Sequence, residues 1–421
     1  MLDIKTVRDR EGDVRRALEA RGAAVDLDGV LDLDRRRRTL VSEVDVLKNR
    51  RNVVSKELGE KKKSGQDISA AQKEMREVGD RIGQMDSEIR QVEDALHRAM
   101  LWIPNIPHPS VPVGKDASAN VPVRSHGEPR RFDFTPKPHW EIGKKLGLFD
   151  FERAARMTGT GWPLYRGGGA RLQRALIQFM LDLHVKEHGY EEVLPPFVVG
   201  SAAMTGTGQL PKLASEMYHI VEDDLYLVPT AEVPVVNIYR DEVITDPLPL
   251  YLTAYTPCFR REAGAAGKLT RGLNRVHQFD KVEMIKFVEP ETSYAELETL
   301  VQNAEDVLQR LGLPYRVLEL CTGDISFAAA KCYDIELWAP GQDTWLEVSS
   351  CSNCEEFQAR RANIRYRNKD GKLAYPHILN GSGTALARLF VAILENYQDA
   401  DGSVALPEVL WPYMGGLKRL E

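Results

Sequence analysis

The chain has 421 residues, 43% of them hydrophobic and 28% charged, with a formal net charge of −6. That composition excludes a disordered protein and gives enough length for two domains. No apolar run approaches the roughly 18 residues of a membrane span, and the charged N-terminus MLDIKTVRDREGDV forms no secretory apolar segment, so the expected location is the cytoplasm, with no membrane partner.

From Leu40 the apolar residues Leu40, Val44, Leu47, Val54 and Leu58 fall in the steps of four and three that define a heptad, with Arg51 in the one vacant seam position. Met75, Val78, Ile82, Met85, Ile89, Val92 and Leu96 repeat the steps. Two such arms joined by the polar link Lys61–Asp67 predict an antiparallel helical hairpin, with about 27 residues per arm and a length on the order of 40 Å. Residues 35–63 hold eleven Lys/Arg against four acids, net +7 in a chain whose total is −6. Charge on an exposed helix is ordinarily a solvated face. A long basic lever on an acidic chain also suits a phosphate backbone followed by shape.

The proline-rich stretch Trp102–Pro109 reads as the linker to a second domain. Beyond it, Leu172, Ala175, Leu176, Phe179, Met180 and Leu183 form one helical stripe, with Gly189 as the expected C-cap. In the strand-like EVLPPFVV, Pro195 and Pro196 confine the segment to a sheet edge, as at a subunit boundary. LYLVPTAEVPVV, DKVEMIKFV, CYDIELWAP and TWLEVSS read as strands joined mostly by loops, which predicts an antiparallel sheet. The five cysteines, 258, 321, 332, 351 and 354, make no disulfide framework, and Cys351-Ser-Asn-Cys354 lacks the second ligand pair of a zinc site. They read as reduced, buried small side chains.

No G-x-x-x-x-G-K-[ST] occurs, and TGTGQLPK and RGGGAR read as turns, so any ATP must lie on the sheet. In CFRREAGAAGKLTRGLNRVHQFDKVEM, alternation puts Arg260 and Glu262 on one strand face, and Phe279, Lys281, Glu283, Ile285 and Phe287 on one face of the returning strand. Phe279 and Glu283 stand about 13 Å apart at 3.3 Å per residue, close to the span from a purine to an aminoacyl group on its 5′-phosphate. Alone, the stretch is also compatible with an ordinary amphipathic hairpin. From Ala385 to Leu394 every residue is apolar except Arg388. A guanidinium on so apolar a helix needs an anionic partner or an aromatic ring. A nucleotide supplies both; a structural glutamate is the plainer alternative.

These segments, with IPNIPHPSVPVGKD, PTAEVP, SSCSNCEEFQARRANIRYR, LNGSG and ENYQ, resemble the bacterial-type seryl-tRNA synthetases, members of the class II aminoacyl-tRNA synthetases, nearly end to end. The resemblance implies an α+β fold: an N-terminal tRNA-binding domain (1–105) with a coiled-coil arm (about 30–100), and a class II catalytic domain (106–421) on an antiparallel sheet flanked by helices. It implies activation of serine with ATP and Mg²⁺, transfer to tRNA(Ser), and a homodimer meeting at the Pro196 segment. Arg260 would hold the α-phosphate and serine carboxylate, Glu262 the adenine edge, and Phe279 and Arg388 the two adenine faces. Arg261 and Val276, His277, Gln278 and Phe279 would border ATP, as would Glu347, Val348, Ser349 and Ser350. Glu347 and Ser350 would hold Mg²⁺, although simple alternation puts them on opposite faces unless the strand ends or bends. Thr230, Ala231, Glu232, Glu283, Asn380 and Ser382 would surround serine. A pocket that hydrogen-bonds the substrate hydroxyl would exclude alanine better than threonine.

The chain departs from the family pattern at Arg261, Leu269, Thr384, Ala387 and Trp411. Two rival functions keep part of the machinery: an amino acid:carrier-protein ligase without the long arm, and a catalytically silent tRNA-binding protein without the site residues.

Overall fold

The computed structural model describes residues 1–64, 67–263 and 271–421. Part of the expected arm link, and Lys268 and Leu269 of the Arg260–Phe279 loop, lie outside them. The chain forms two compact units, one of Leu2–Glu19 and Ala23–Pro104, the other of Met1, Ala20–Gly22 and Asn105–Glu421.

In the first unit, α1 (Ile4–Asp9) and α2 (Glu11–Ala20) precede α3 (Leu27–Lys63) and α4 (Ser69–Met100). At 37 residues α3 spans about 55 Å, longer than expected, because LDGVLDLDRRRR extends the helix before the heptad seam begins. Leu40 and Val44 pack on Met85 and Val92, flanked by Leu33, Leu47 and Ile89. The seam loosens distally, where Val54, Leu58, Met75 and Val78 are half-buried and Arg51 is exposed. Arg36 pairs with Glu88 at 2.6 Å, Lys48 with Asp86 at 3.0 Å, and Arg50 with Glu74. Such exposed pairs contribute little stability, but they neutralise the basic helix along its proximal length. Among the described residues, Arg51, Lys56, Lys61 and Lys63 have no acidic partner, so the free positive charge gathers toward the tip.

The second unit is built on an eight-stranded sheet. In chain order its strands are β1 (Val121–His126), β2 (Glu191–Glu192), β3 (Leu250–Phe259), β4 (Gln278–Val288), β5 (Tyr315–Glu319), β6 (Lys331–Ala339), β7 (Thr344–Asn353) and β8 (His377–Ala385). Their spatial order is β1-β5-β6-β7-β8-β4-β3-β2. All neighbours run antiparallel except β2 with β3. The EVLPPFVV segment does sit at the edge: β2 stops before the prolines, and Val198–Gly200 joins a separate three-stranded sheet.

Period-two alternation along β4 sorts its side chains between two clusters. Val282, Met284 and Val288 enter the main core under α6 (Gly168–Lys186), α8 (Ser293–Arg310) and α10 (Leu386–Asn396). All six stripe residues of α6 are buried, at about 1.5–3 kcal/mol for each large apolar side chain. Helix α6 ends at Lys186 with Glu187 as its cap, and Gly189 instead supplies the left-handed turn (φ 77°) before β2. Ile285 and Phe287 face the other way, into a smaller cluster with α7 (Glu232–Val236) and α9 (Phe357–Ala362). Helix α7 corrects the strand reading of LYLVPTAEVPVV, of which only Leu225–Leu227 is strand. Pro234 falls in the first helical turn, where its missing N–H costs nothing. The second sheet face thus carries little helical cover, and Phe279, Lys281 and Glu283 stand on that face.

Candidate functional site

A cavity of about 620 Å³ opens there, lined by the β3–β4 hairpin, by β7 and β8, and by the first turn of α10. At one end polar side chains converge. The Thr230 hydroxyl donates to Glu283 Oε2 at 3.0 Å and accepts the Glu232 N–H at 3.2 Å. Asn380 Nδ2 donates to Glu232 Oε1 at 3.2 Å, and the Gln358 amide donates to the same oxygen. Lys281, two residues before Glu283 on β4, pairs with its carboxylate. Ser382 lines the cavity while its carbonyl accepts the Ser349 hydroxyl at 2.6 Å.

Burial, then the like charge of Glu283, pushes the Glu232 carboxyl up to about 7, against the Gln358 hydrogen bond. A carboxyl whose folded pKa is raised destabilises the empty fold wherever it must ionise. The penalty is absent below the unfolded value of 4.5, grows as pH rises from there to about 7, and is full above. Glu232→Gln is therefore expected to stabilise the ligand-free protein by on the order of 2 kcal/mol at pH 8 and by much less at pH 5. Paired thermal melts check this, and equal gains at both pH values would contradict it.

The other end is cationic and aromatic. The Arg260 guanidinium lies 5.2 Å from the Phe279 ring centroid, and its Nε donates to the Pro229 carbonyl at 3.2 Å. Strand β3 stops at Phe259, so alternation does not govern Arg260 and Glu262. Glu262 takes a left-handed backbone (φ 51°), and its carboxylate meets Arg275 Nη1 at 3.1 Å. Both residues still reach the cavity. Arg388 is not enclosed by its apolar helix. At 25% exposure it leaves the first turn of α10 toward the cavity, where Nη1 donates to the Glu347 carbonyl at 2.7 Å and Nε to the Asn274 carbonyl at 3.3 Å. The Glu347 carboxylate stands 3.6 Å away, so a protein acid is nearby, yet Arg388 and Phe279 line one cavity.

Glu347 and Ser350 both face that space because β7 carries a bulge. Ile335 of β6 pairs with Ser349 and Glu336 with Glu347, leaving Val348 as an extra residue that restores both side chains to one face. Ser350 Oγ lies 3.1 Å from Cys332 Sγ, and Asp334 stands opposite in register. Burial and the Glu347 charge hold the Asp334 carboxyl well above the usual carboxylate range. A carboxylate and a hydroxyl are hard oxygen donors that fit Mg²⁺. Among the described residues no group of three or more His, Cys, Asp or Glu could hold a metal, so the remaining ligands would be phosphate oxygens and water.

Of the predicted site residues, Thr230, Glu232, Arg260, Glu262, Val276, Phe279 and Glu283 line the cavity. So do Glu347, Val348, Ser349, Ser350, Asn380, Ser382 and Arg388. Four lie off it. Ala231 is buried in the smaller cluster, and the Arg261 guanidinium sits 5.9 Å from the Tyr218 ring. The His277 ring faces Trp162 at 5.6 Å, and Gln278 is exposed, as alternation around Phe279 requires. Sequence reasoning missed Lys281 as a site residue, although its strand face was in view, and read Thr207–Gln209, which borders the cavity, as a plain turn. All five cysteines are buried and unpaired with one another, and Cys354 borders the cavity. Of the departures, Ala387 lines the cavity, Thr384 is buried against Met180, and the Trp411 indole donates to the Leu406 carbonyl.

Residues 1–107 match the family model of the seryl-tRNA synthetase N-terminal domain, and residues 218–397 that of the tRNA synthetase class II core domain (G, H, P, S and T). The chain is 57% identical over 416 residues to a serine–tRNA ligase of Caldanaerobacter subterraneus subsp. tengcongensis, covering 98% of both chains. It is 56% identical to a serine–tRNA ligase of Geobacter sulfurreducens, covering 100% of both. Among solved structures it resembles seryl-tRNA synthetase from Pyrococcus horikoshii complexed with ATP (TM-score 0.94, 39% identity, 100% of this chain and 99% of that one). It also resembles the cytoplasmic serine–tRNA ligase of Naegleria fowleri in complex with AMP (TM-score 0.88, 31% identity, 100% and 99%).

Proposed function

The chain belongs to the seryl-tRNA synthetase family and joins serine to tRNA at the expense of ATP, and from that premise we propose how its cavity divides the work. Adenine stacks between Phe279 and Arg388, with Glu262 at its edge. The aminoacyl group lies at Thr230, Glu232, Glu283, Asn380 and Ser382, the ammonium of serine meeting the carboxylates. Arg260, between the two, orients the serine carboxylate in line with the α-phosphorus and holds the charge that develops there. No protein nucleophile is needed. Glu347 and Ser350 would hold Mg²⁺, which when bound neutralises phosphate charge. What supports this reading is the meeting of all these side chains in one cavity, with cations and an aromatic ring at one end and paired acids at the other.

Residues 1–105 serve as the tRNA-binding domain and 106–421 as the catalytic domain, with the basic tip of the arm following the phosphate backbone of tRNA(Ser). Two copies meet along the edge near Pro196, where Leu194 (76% exposed), Phe197 and Val198 form an apolar strip. No helix among the described residues is long and apolar enough to cross a membrane, and a cytoplasmic site suits the chain.

Serine-dependent ATP–pyrophosphate exchange, measured with and without tRNA, tests the reading. Exchange without tRNA charging would favour the carrier-protein ligase, and no exchange the silent binder. Replacing Lys56, Lys61 and Lys63 with Gln is expected to lower tRNA charging about tenfold at physiological salt and flatten its salt dependence, while leaving exchange without tRNA unchanged. A parallel fall in both activities would remove the arm from tRNA recognition.

A further inference from the structure

We propose that His139 and Glu395 form a buried clamp that fixes the returning limb of the β3–β4 loop, Gly272–Val276, and so shapes the nucleotide end of the cavity. The inference rests on the assignment of that end to ATP. Helix α5 (His139–Lys145) begins at His139, and both members of the pair are fully excluded from solvent.

The hydrogen bonds settle the tautomer. The Leu273 N–H donates to His139 Nε2 at 2.9 Å, so that nitrogen carries a lone pair and the proton sits on Nδ1, 2.9 Å from Glu395 Oε1. The same oxygen accepts the His139 N–H at 2.9 Å and Gln342 Nε2 at 2.8 Å, and Oε2 accepts the Gly341 N–H at 2.9 Å. Gln342 in turn accepts from Asn274 Nδ2 at 2.6 Å, and the Asn274 carbonyl accepts from Arg388. Thus one carboxylate on α10 ties down the limb twice, through His139 to Leu273 and through Gln342 to Asn274. Arg388, two turns earlier on α10, grips the limb from the cavity side. A Cβ on Gly272, which has φ 70°, would stand 2.1 Å from His139 Nε2, so the close approach requires glycine.

A buried charge is a poor device for stability alone, because apolar side chains of similar volume commonly do as well. Here the hydrogen bonds of the cluster run to Leu273 and Asn274, which line the cavity, and to the Gly341–Gln342 turn, which joins β6 to the bulged β7. The pair is assigned as positioning residues for ATP, acting through the limb without touching substrate.

The test measures calorimetric ATP binding to the full-length protein without serine, the serine and ATP KM values in exchange, and the Tm. His139→Asn retains a donor toward Glu395 but falls short of Leu273, whereas His139→Gln places an oxygen where Nε2 stood. His139→Asn is expected to weaken ATP binding about tenfold, with the serine KM within about twofold and Tm little changed, and His139→Gln to restore most of the loss. Gly272→Ala, which removes no core group, should reproduce the ATP defect and serves if His139→Asn does not fold. Wild-type ATP binding in Gly272→Ala, or ATP and serine KM values rising together with a fall in Tm, would overturn the clamp. Since ATP binding is read directly, failure of the ligase assignment would appear separately, as wild-type exchange without dependence on serine.

Discussion

Arg260→Ala is expected to lower kcat/KM for serine-dependent exchange by about 10³-fold with little change in Tm. Among the described residues the guanidinium makes two contacts that the fold could miss, the Pro229 carbonyl at 3.2 Å and the Phe279 ring at 5.2 Å. It lines the cavity, and the proposed division of the site sets it at the junction of adenine and serine. Charge that develops only in the transition state is where a preorganised cation contributes most, and losing one such donor costs on the order of 10²- to 10³-fold. Arg260→Lys should recover little, since a point charge cannot bridge carboxylate and phosphate as a planar fork does. Steady-state exchange kinetics decide the matter: activity within tenfold of wild type in the alanine variant would remove Arg260 from the chemistry.

Glu283→Gln has the second largest expected effect, and it falls on serine. Glu283 is 2% exposed, accepts the Thr230 hydroxyl and pairs with Lys281, itself only 7% exposed. The amide keeps the shape but discards the charge proposed to face the serine ammonium, and it leaves the Lys281 cation buried without its partner. The serine KM should rise about 10²-fold or more while the ATP KM holds within a few-fold, and Tm should fall because a broken buried pair is costly. Adding Lys281→Met should return the lost Tm but not the serine affinity. If the double variant also regained serine affinity, the charge on Glu283 would have no part in recognition.

The parts of this site that could be read from the sequence are those where a local repeat survives folding. Strand β4 pairs with β3 without interruption from Leu250–Phe287 to Phe259–Gln278, so period two correctly placed Phe279, Lys281 and Glu283 together and Ile285 and Phe287 below them. The helical stripe of α6 was legible for the same reason. Where the backbone leaves its repeat, the reading lapsed. Glu262 lies beyond the end of β3 in a left-handed conformation, and α7 hides behind two prolines in a β-branched run. Arg388 was rightly singled out as an anomaly, but its carbonyl partners, Glu347 and Asn274, come from segments 41 and 114 residues away. The His139–Glu395 pair spans 256 residues, and no local pattern announces a contact of that separation.

The single extra residue in β7 has a consequence for how this chain can vary. Because Val348 is the extra member between Glu347 and Ser349, the two oxygen donors, three residues apart, stay together only while the bulge absorbs one of that count. Exchanging the valine for another apolar side chain leaves that count intact. Deleting it would leave Glu347 and Ser350 two apart in a regular strand, still on one face, whereas the same count of residues without the bulge would carry Ser350 into the interior and the Cys351 sulfur out of it. At this point in the fold it is the irregularity of the backbone that keeps two donors together, and length can change only if the bulge goes with it.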